Sequence, residues 1–369
     1  MHTRTIVKSL RAGVIALATL SAIPAAVDAF AQDDLQKVKI AVSGTNFLDI
    51  SYFSLLLPGP LGYWEEEGYE ADVFPISGSS EAAQQLAVNN IDFGQMSASV
   101  IIQANSQHNI PLRSLITNFS LGWGIAVKSD GPIKTAQDLK GKKIGVVTVS
   151  GNSVLLAKAF ARDNGLDPDD LTLVATGVGA QPLIALQNDQ VQGLMYWSSA
   201  LVGFQNRDPD LTILKDPKWA TLPDYSFATS QRKIDEDPEM VTGVSRGIAK
   251  AMVFAAANPD CARQAVWKFY PDSKPSGVDE ETAAANDLAM ISVLLRDQEN
   301  AVALNPEGVV AGVSVDAMGD YQDFLLEAGI LSNEIDPETV VIPGGIEFWK
   351  DINDFDKAAI EADAKACNI

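Results

Sequence analysis

The residues best suited to holding a small molecule lie in short polar turns that close β-like runs. Ser43-Gly44-Thr45-Asn46 closes Val38-Lys39-Ile40-Ala41-Val42, and Ser150-Gly151-Asn152-Ser153 closes Lys143-Ile144-Gly145-Val146-Val147-Thr148-Val149. Gly78-Ser79-Ser80 opens a helical stretch, and Ser97 ends a third β-like run. Hydroxyls and bare backbone beside a helix start offer unpaired N–H donors and a partial positive charge, which suit a carboxylate, sulfonate or nitrate. Small residues also let a ligand approach the main chain closely. Taken singly, each Ser or Asn reads equally well as an N-cap, and Glu81 as first-turn capping. Their joint placement at strand ends is what points to binding. Tyr52, Trp123, Tyr196, Trp197 and Tyr225 stand beside these turns or the connections between them. There an aromatic face stacks on a planar ligand or packs two halves of the protein together.

Reactive groups are scarce. The only histidines are His2 and His108, and His2 falls in a segment expected to be removed. One remaining imidazole cannot supply a zinc site with two or three His ligands, and it leaves a Ser or Cys nucleophile a single possible base. We therefore expect no catalytic residues, no metal and no cofactor. Cys261 and Cys367 are the only cysteines, and two cysteines fix no pattern: a disulfide and two separate thiols both remain open. No Lys or Arg occupies the strand ends; Arg113, Lys128 and Arg232 lie nearby in sequence. Holding a small inorganic anion would then rest on amides and hydroxyls alone, which favours a larger organic solute with a planar portion.

An internal repeat positions these turns. Two segments spaced roughly 100 residues apart share one order of elements: strand, Ser-Gly turn, helix, strand, Gly-containing turn, helix, re-entering strand. The second strands read Ala71-Asp72-Val73-Phe74-Pro75-Ile76 and Leu171-Thr172-Leu173-Val174-Ala175. The third follow Asn89-Asn90 and Asn188-Asp189, as Ile91-Asp92-Phe93-Gly94 and Val191-Gln192-Gly193-Leu194. Strands alternating with helices imply mostly parallel sheets covered on both faces, with ligands held beyond the carboxyl ends of the strands. Residues 112–127 and the run Tyr225-Ser226-Phe227-Ala228-Thr229 suit two strands passing between halves. From Pro238 onward the pattern is mostly helical.

The chain carries 27 Lys+Arg against 48 Asp+Glu, a formal charge of −21. That balance argues against nucleic acid and anionic lipid as partners. Residues 1–31 read as a secretory signal peptide: Arg4, Lys8 and Arg11, an apolar run from Ala12, then Ala29-Phe30-Ala31 before the cut. Its removal leaves 24 basic against 47 acidic side chains, a net −23. The apolar run is short for a membrane span and ends at Pro24, and no other stretch of about 18 uninterrupted apolar residues follows. Export to a periplasmic location is expected.

The exported chain, the strand-to-Ser-Gly turns, Gly78-Ser79-Ser80, Asn90-Ile91-Asp92-Phe93-Gly94 and Asp138-Leu139-Lys140-Gly141-Lys142-Lys143-Ile144-Gly145-Val146 together resemble solute-binding proteins of ABC importers, of the nitrate/sulfonate/taurine-binding type. That group is related to receptors for thiamine pyrimidine precursors and aromatic acids. The resemblance covers residues 38–260. It implies a two-lobed, type II-like periplasmic-binding-protein fold, α/β in each lobe, with a mostly parallel sheet flanked by helices and two crossover strands joining the lobes. The expected division is 32–122 with 225–369 for one lobe and 123–224 for the other. It also implies a monomer that delivers a small-molecule solute to a membrane permease with a cytoplasmic ATPase. A ligand-sensing partner of a membrane sensor is the alternative. A pyrimidine-forming enzyme on the same fold is a further one, although its cysteine-rich motif is lacking here.

Overall fold

The computed structural model describes residues 35–44, 48–149, 152–305 and 308–369. The signal-peptide reading of residues 1–31 lies outside the described residues, as do Thr45, Asn46, Ser150 and Gly151.

Ten strands form two five-stranded sheets. They are β1 (Gln36–Ser43), β2 (Tyr69–Ile76), β3 (Phe93–Ser97), β4 (Leu112–Thr117), β5 (Trp123–Lys128), β6 (Lys143–Val146), β7 (Thr172–Ala175), β8 (Gly193–Trp197), β9 (Leu211–Leu214) and β10 (Tyr225–Ser230). The first sheet has the order β2-β1-β3-β10-β4 and the second β7-β6-β8-β5-β9. In each, the second strand of that order, β1 or β6, pairs in parallel with its two successors, as in Ile40 opposite Phe93 and Ile144 opposite Gly193. The fourth position is antiparallel to both neighbours in each sheet, and it is filled by a strand arriving from the other sheet: β10 in the first and β5 in the second. The sequence repeat is therefore a repeat of topology, and the two incoming strands are exchanged between its halves.

The strands are rich in β-branched and aliphatic residues because both faces are covered. Val38, Ile40, Val42, Phe93, Ile116 and Phe227 are fully buried in the first sheet, and Ile125, Ile144, Leu194 and Met195 in the second. Phe93 stacks on Phe227 with ring centroids 5.0 Å apart, joining β3 to the incoming β10.

Helices follow the strands as the alternation requires, and their termini are chemically marked. Asn109 takes the left-handed conformation (φ 52°) after helix Ala98–His108, and its backbone N–H closes that helix on the Ala104 carbonyl. The C-terminal third consists of helices, including Pro238–Ala257, Pro259–Phe269, Glu280–Leu304 and Val315–Glu327. Aspartates and Asn258 cap several of them: Asp237, Asn258 and Asp279 accept from the N–H groups of Met240, Cys261 and Thr282. Helix Pro238–Ala257 is long and apolar enough to span a membrane by composition, which the search for uninterrupted apolar runs overlooked because single polar residues punctuate it. It is a core helix: 78% of that window is buried inside the protein. Gly247 lets it meet Trp64, since an added Cβ would fall 2.4 Å from the indole, while Trp64 Nε1 donates to the Val244 carbonyl at 3.0 Å. Cys261 and Cys367 form a disulfide that pins helix Lys357–Ala366 against helix Pro259–Phe269. This decides the choice left open by the sequence.

Candidate functional site

At the carboxyl ends of β1, β3 and β8 the backbone turns directly into helices or polar loops. Ser43 ends β1 with its hydroxyl buried and without a partner among the described residues, and Gly44 N–H donates to the carbonyls of Val42 (2.9 Å) and Ile76 (3.1 Å). Gly78 precedes helix Ser79–Ala87, and Ser79 Oγ accepts from the Ser97 N–H at 3.1 Å, which ties that helix start to the end of β3. Ser80 is exposed beside it. Glu81 accepts from the Ser77 N–H at 2.9 Å and so serves the helix end. Ser97 is the N-cap position of helix Ala98–His108, and its hydroxyl shares a 2.8 Å hydrogen bond with Ser99.

Two polar contacts join these ends to the second sheet. Ser99 Oγ donates to Asn152 Oδ1 at 3.5 Å, so the starts of helices Ala98–His108 and Asn152–Asp163 meet. The Asn152 amide nitrogen is buried without a partner among the described residues. Ser51, in the turn after β1, donates to Ser199 Oγ at 3.0 Å, in the first turn of helix Ser198–Arg207. Ser153 stays within its own half: its hydroxyl accepts from the Val147 N–H at 3.0 Å. Helix starts carried by both sheets thus meet, with the Asn152 amide donor still unpartnered among the described residues, an arrangement able to offer donors to an acceptor group without a basic side chain.

The aromatic residues divide. Trp123 and Trp197 are paired across β5 and β8 and touch edge to face, centroids 5.9 Å apart, with Trp197 at the N-cap position of helix Ser198–Arg207. Tyr52 and Tyr225 are half-buried close to one another, and the Tyr225 hydroxyl lies 3.5 Å from the Ser43 carbonyl. Burial raises both phenols, Tyr52 further by its neighbours Tyr225 and Asp49. Tyr196 is placed differently. It packs into the core of the second sheet against Phe204, bonds to Thr176 and the Gly177 carbonyl, and is pushed up to about 12 by burial. Alternation along β8 sends neighbouring side chains to opposite faces.

Behind the helix starts run the two connections. Leu121 N–H donates to Leu222 O (2.8 Å), Asp224 N–H to Phe119 O (2.9 Å) and Asn118 N–H to Tyr225 O (2.8 Å), a short antiparallel ribbon. Asp224 is buried there. Its carboxylate accepts from Trp123 Nε1 at 2.8 Å, and burial, with Asp297 adding to it, raises its pKa to about 7. Asp297 comes from helix Glu280–Leu304; its carbonyl accepts from the Ser120 N–H at 2.9 Å and its carboxylate lies close against Gly122. Arg296 pairs with Asp297 at 3.1 Å, and Lys215 nearby is lowered by burial.

Sequence reasoning missed Ser51, Ser99, Ser199, Asp224 and Asp297. The repeat carries a signal for two of them: Ser99 and Ser199 each stand two residues beyond the last residue of an equivalent strand, β3 or β8. Asp297 carries none, since only packing brings it to the connections. The three basic residues flagged in sequence are engaged elsewhere: Arg113 with Gln231, Lys128 with Asp189, and Arg232 with Glu236. His108 ends helix Ala98–His108 and is exposed, about 15 Å along the axis from the helix start at the site. Two surface cavities, of about 470 and 400 Å³, are lined by residues remote from these strand ends.

Comparison with known proteins agrees with this architecture. A family model described as NMT1/THI5 like matches residues 54–262. The riboflavin-binding protein RibY of Chloroflexus aurantiacus is 24% identical over 331 residues, covering 85% of this chain and 88% of its own. Among solved structures, the periplasmic aliphatic sulphonate binding protein SsuA from Escherichia coli superposes with a TM-score of 0.62 at 14% identity, over 85% of this chain and 99% of that one. The periplasmic nitrate-binding protein NrtA from Synechocystis PCC 6803 gives 0.61 at 13% identity, over 91% and 99%. With the family model spanning more than half of its length, the chain belongs to the NMT1/THI5-like family and has the periplasmic-binding-protein fold.

Proposed function

We propose that this chain is an extracytoplasmic, non-catalytic receptor that captures a small organic solute between two lobes and delivers it to the permease of an ABC importer. The lobes are residues 32–122 with 225–369, and residues 123–224. The observation that carries the reading is the meeting of helix starts from both sheets, through Ser99 with Asn152 and Ser51 with Ser199. Donors on both sides of one space bind an acceptor group best when the halves are closed, and that differential affinity couples occupancy to closure. Trp197, Tyr52 and Tyr225 add flat, partly buried faces for a planar portion of the solute. The absence of Lys and Arg from these strand ends favours an organic acid, sulfonate or pyrimidine-like compound over a bare inorganic anion. The exposed position of His108 at the far helix end supports binding over catalysis. The expected leader and the periplasmic relatives support a periplasmic location.

The test is native mass spectrometry of protein purified without refolding, followed by thermal-shift screening of organic acids, sulfonates and pyrimidines. A solute bound only by the folded protein raises the melting temperature. X-ray scattering should then report a smaller radius of gyration with that solute. Failure of every compound to shift a well-folded sample, together with no retained mass, counts against the proposal.

A further inference from the structure

A second place on the molecule has the makings of a ligand site. Arg162, in the last turn of helix Asn152–Asp163, makes no hydrogen bond or ion pair with any described residue, and its Nη1 is buried. In a chain with 48 acidic residues, an unpaired and partly buried guanidinium stands out. It is also costly, because a buried charged donor without an acceptor loses its hydration uncompensated.

The guanidinium lines the cavity of about 470 Å³, with Leu155 and Lys158 from the same helix, the Asp167–Asp169 turn, and residues 328–330 beyond helix Val315–Glu327. The neighbouring carboxylates make their hydrogen bonds elsewhere, and Asp163 acts on it only through space. Asp167 caps its own turn by accepting from the Asp169 N–H at 3.0 Å, and Asp163 accepts from Trp219 Nε1 at 3.0 Å. Asp169 is largely exposed and stands 4.0 Å from Lys158.

We propose that this cavity is a second binding site, for a small oxyanion such as a carboxylate or phosphate group, with Arg162 as its principal donor and Lys158 as an accessory charge. A planar guanidinium matches such groups with two parallel N–H donors. One wall belongs to the helix whose first residue, Asn152, reaches the interlobe contact; the opposite wall belongs to the C-terminal helices. Arg162 stands about 15 Å along the helix axis from Asn152, ten residues on. An anion spanning both walls would restrain their relative movement, so its binding and cleft closure are coupled in both directions.

Inorganic phosphate is the probe, titrated against sodium chloride at constant ionic strength and followed by calorimetry and thermal shift, with acetate as a carboxylate arm. Wild-type protein should bind at least one of the two, and Arg162→Gln should weaken that binding about tenfold or more, as expected for losing a charge-assisted bidentate contact. Lys158→Gln should weaken it less. Arg232→Gln, at a surface arginine paired with Glu236, should leave it unchanged, which shows that the loss is not a general effect of removing a positive charge. In wild-type protein the Arg162 side-chain N–H resonance should move on titration, a readout that needs no variant to fold. The proposal is overturned by any of three results: no binding of either anion, equal binding by Arg162→Gln, or an equal loss of binding in Arg232→Gln.

Discussion

Trp123 Nε1 donates to the Asp224 carboxylate at 2.8 Å, and the two residues belong to the two chain connections between the sheets. The bond ties those two connections to each other. It is made by a carboxyl that burial, abetted by Asp297, holds at about 7. Titration of this acid is therefore linked to the stability of the folded chain.

The sign follows from the direction of the shift. The folded chain keeps a proton on Asp224 up to about pH 7, while the unfolded chain loses it near pH 4. Asp224 thus contributes stability that is fully present below about pH 4 and is lost as pH rises through about 7. Its ceiling is roughly 4 kcal/mol. Asp224→Asn keeps an acceptor for Trp123 and removes the titration. Urea unfolding from pH 4 to pH 8 should give a flatter profile for the variant, and an unchanged slope refutes this assignment.

Gly122 is confined by its neighbours: a Cβ there would lie 2.3 Å from Asp297 Oδ2 and 3.0 Å from Ser198 Oγ. Gly122→Ala should destabilise the protein by about 1–3 kcal/mol, the usual range for overpacking. Adding Asp297→Ala should recover part of that loss. Chemical denaturation of the two single variants and the double variant measures the coupling, and strict additivity would show that the two residues are independent.

Ser99 and Asn152 should matter to binding more than to folding. Once a solute has been identified, Asn152→Ala is expected to raise its Kd about five- to tenfold, the loss of one good hydrogen bond. Its melting temperature without solute should change little. Calorimetry measures the first quantity and calorimetric or optical melting the second; an unaltered Kd removes Asn152 from the site.

The Cys261–Cys367 bridge closes a separation of 106 residues. Chain-entropy arguments allow it up to about 4–5 kcal/mol. Replacing both cysteines by serine should lower the melting temperature and expose helix Lys357–Ala366 to proteolysis at its ends. Equal melting of oxidised and reduced wild-type protein would show that the bridge adds nothing.

The sequence by itself determined the architecture of each half. Strand runs such as Ile40–Val42 and Ile144–Val147 are apolar without alternation, and Gly and Asn punctuate the helices between them, so a parallel sheet covered on both faces is the packing they allow. It also marked the polar turns at the strand ends, because local backbone chemistry writes Ser, Gly and Asn there whatever the rest of the chain does. Tertiary structure alone decided which of those residues face one another. Alternation along β8 sends Trp197 towards Trp123 and Tyr196 into the core, and sequence could not tell the two apart without the register. Asp297 reaches Gly122 from far along the chain through the packing of helix Glu280–Leu304, and the Cys261–Cys367 pair is likewise set by how the last helices lie. Contacts between distant residues depend on the summed geometry of many elements, and no local pattern records that sum.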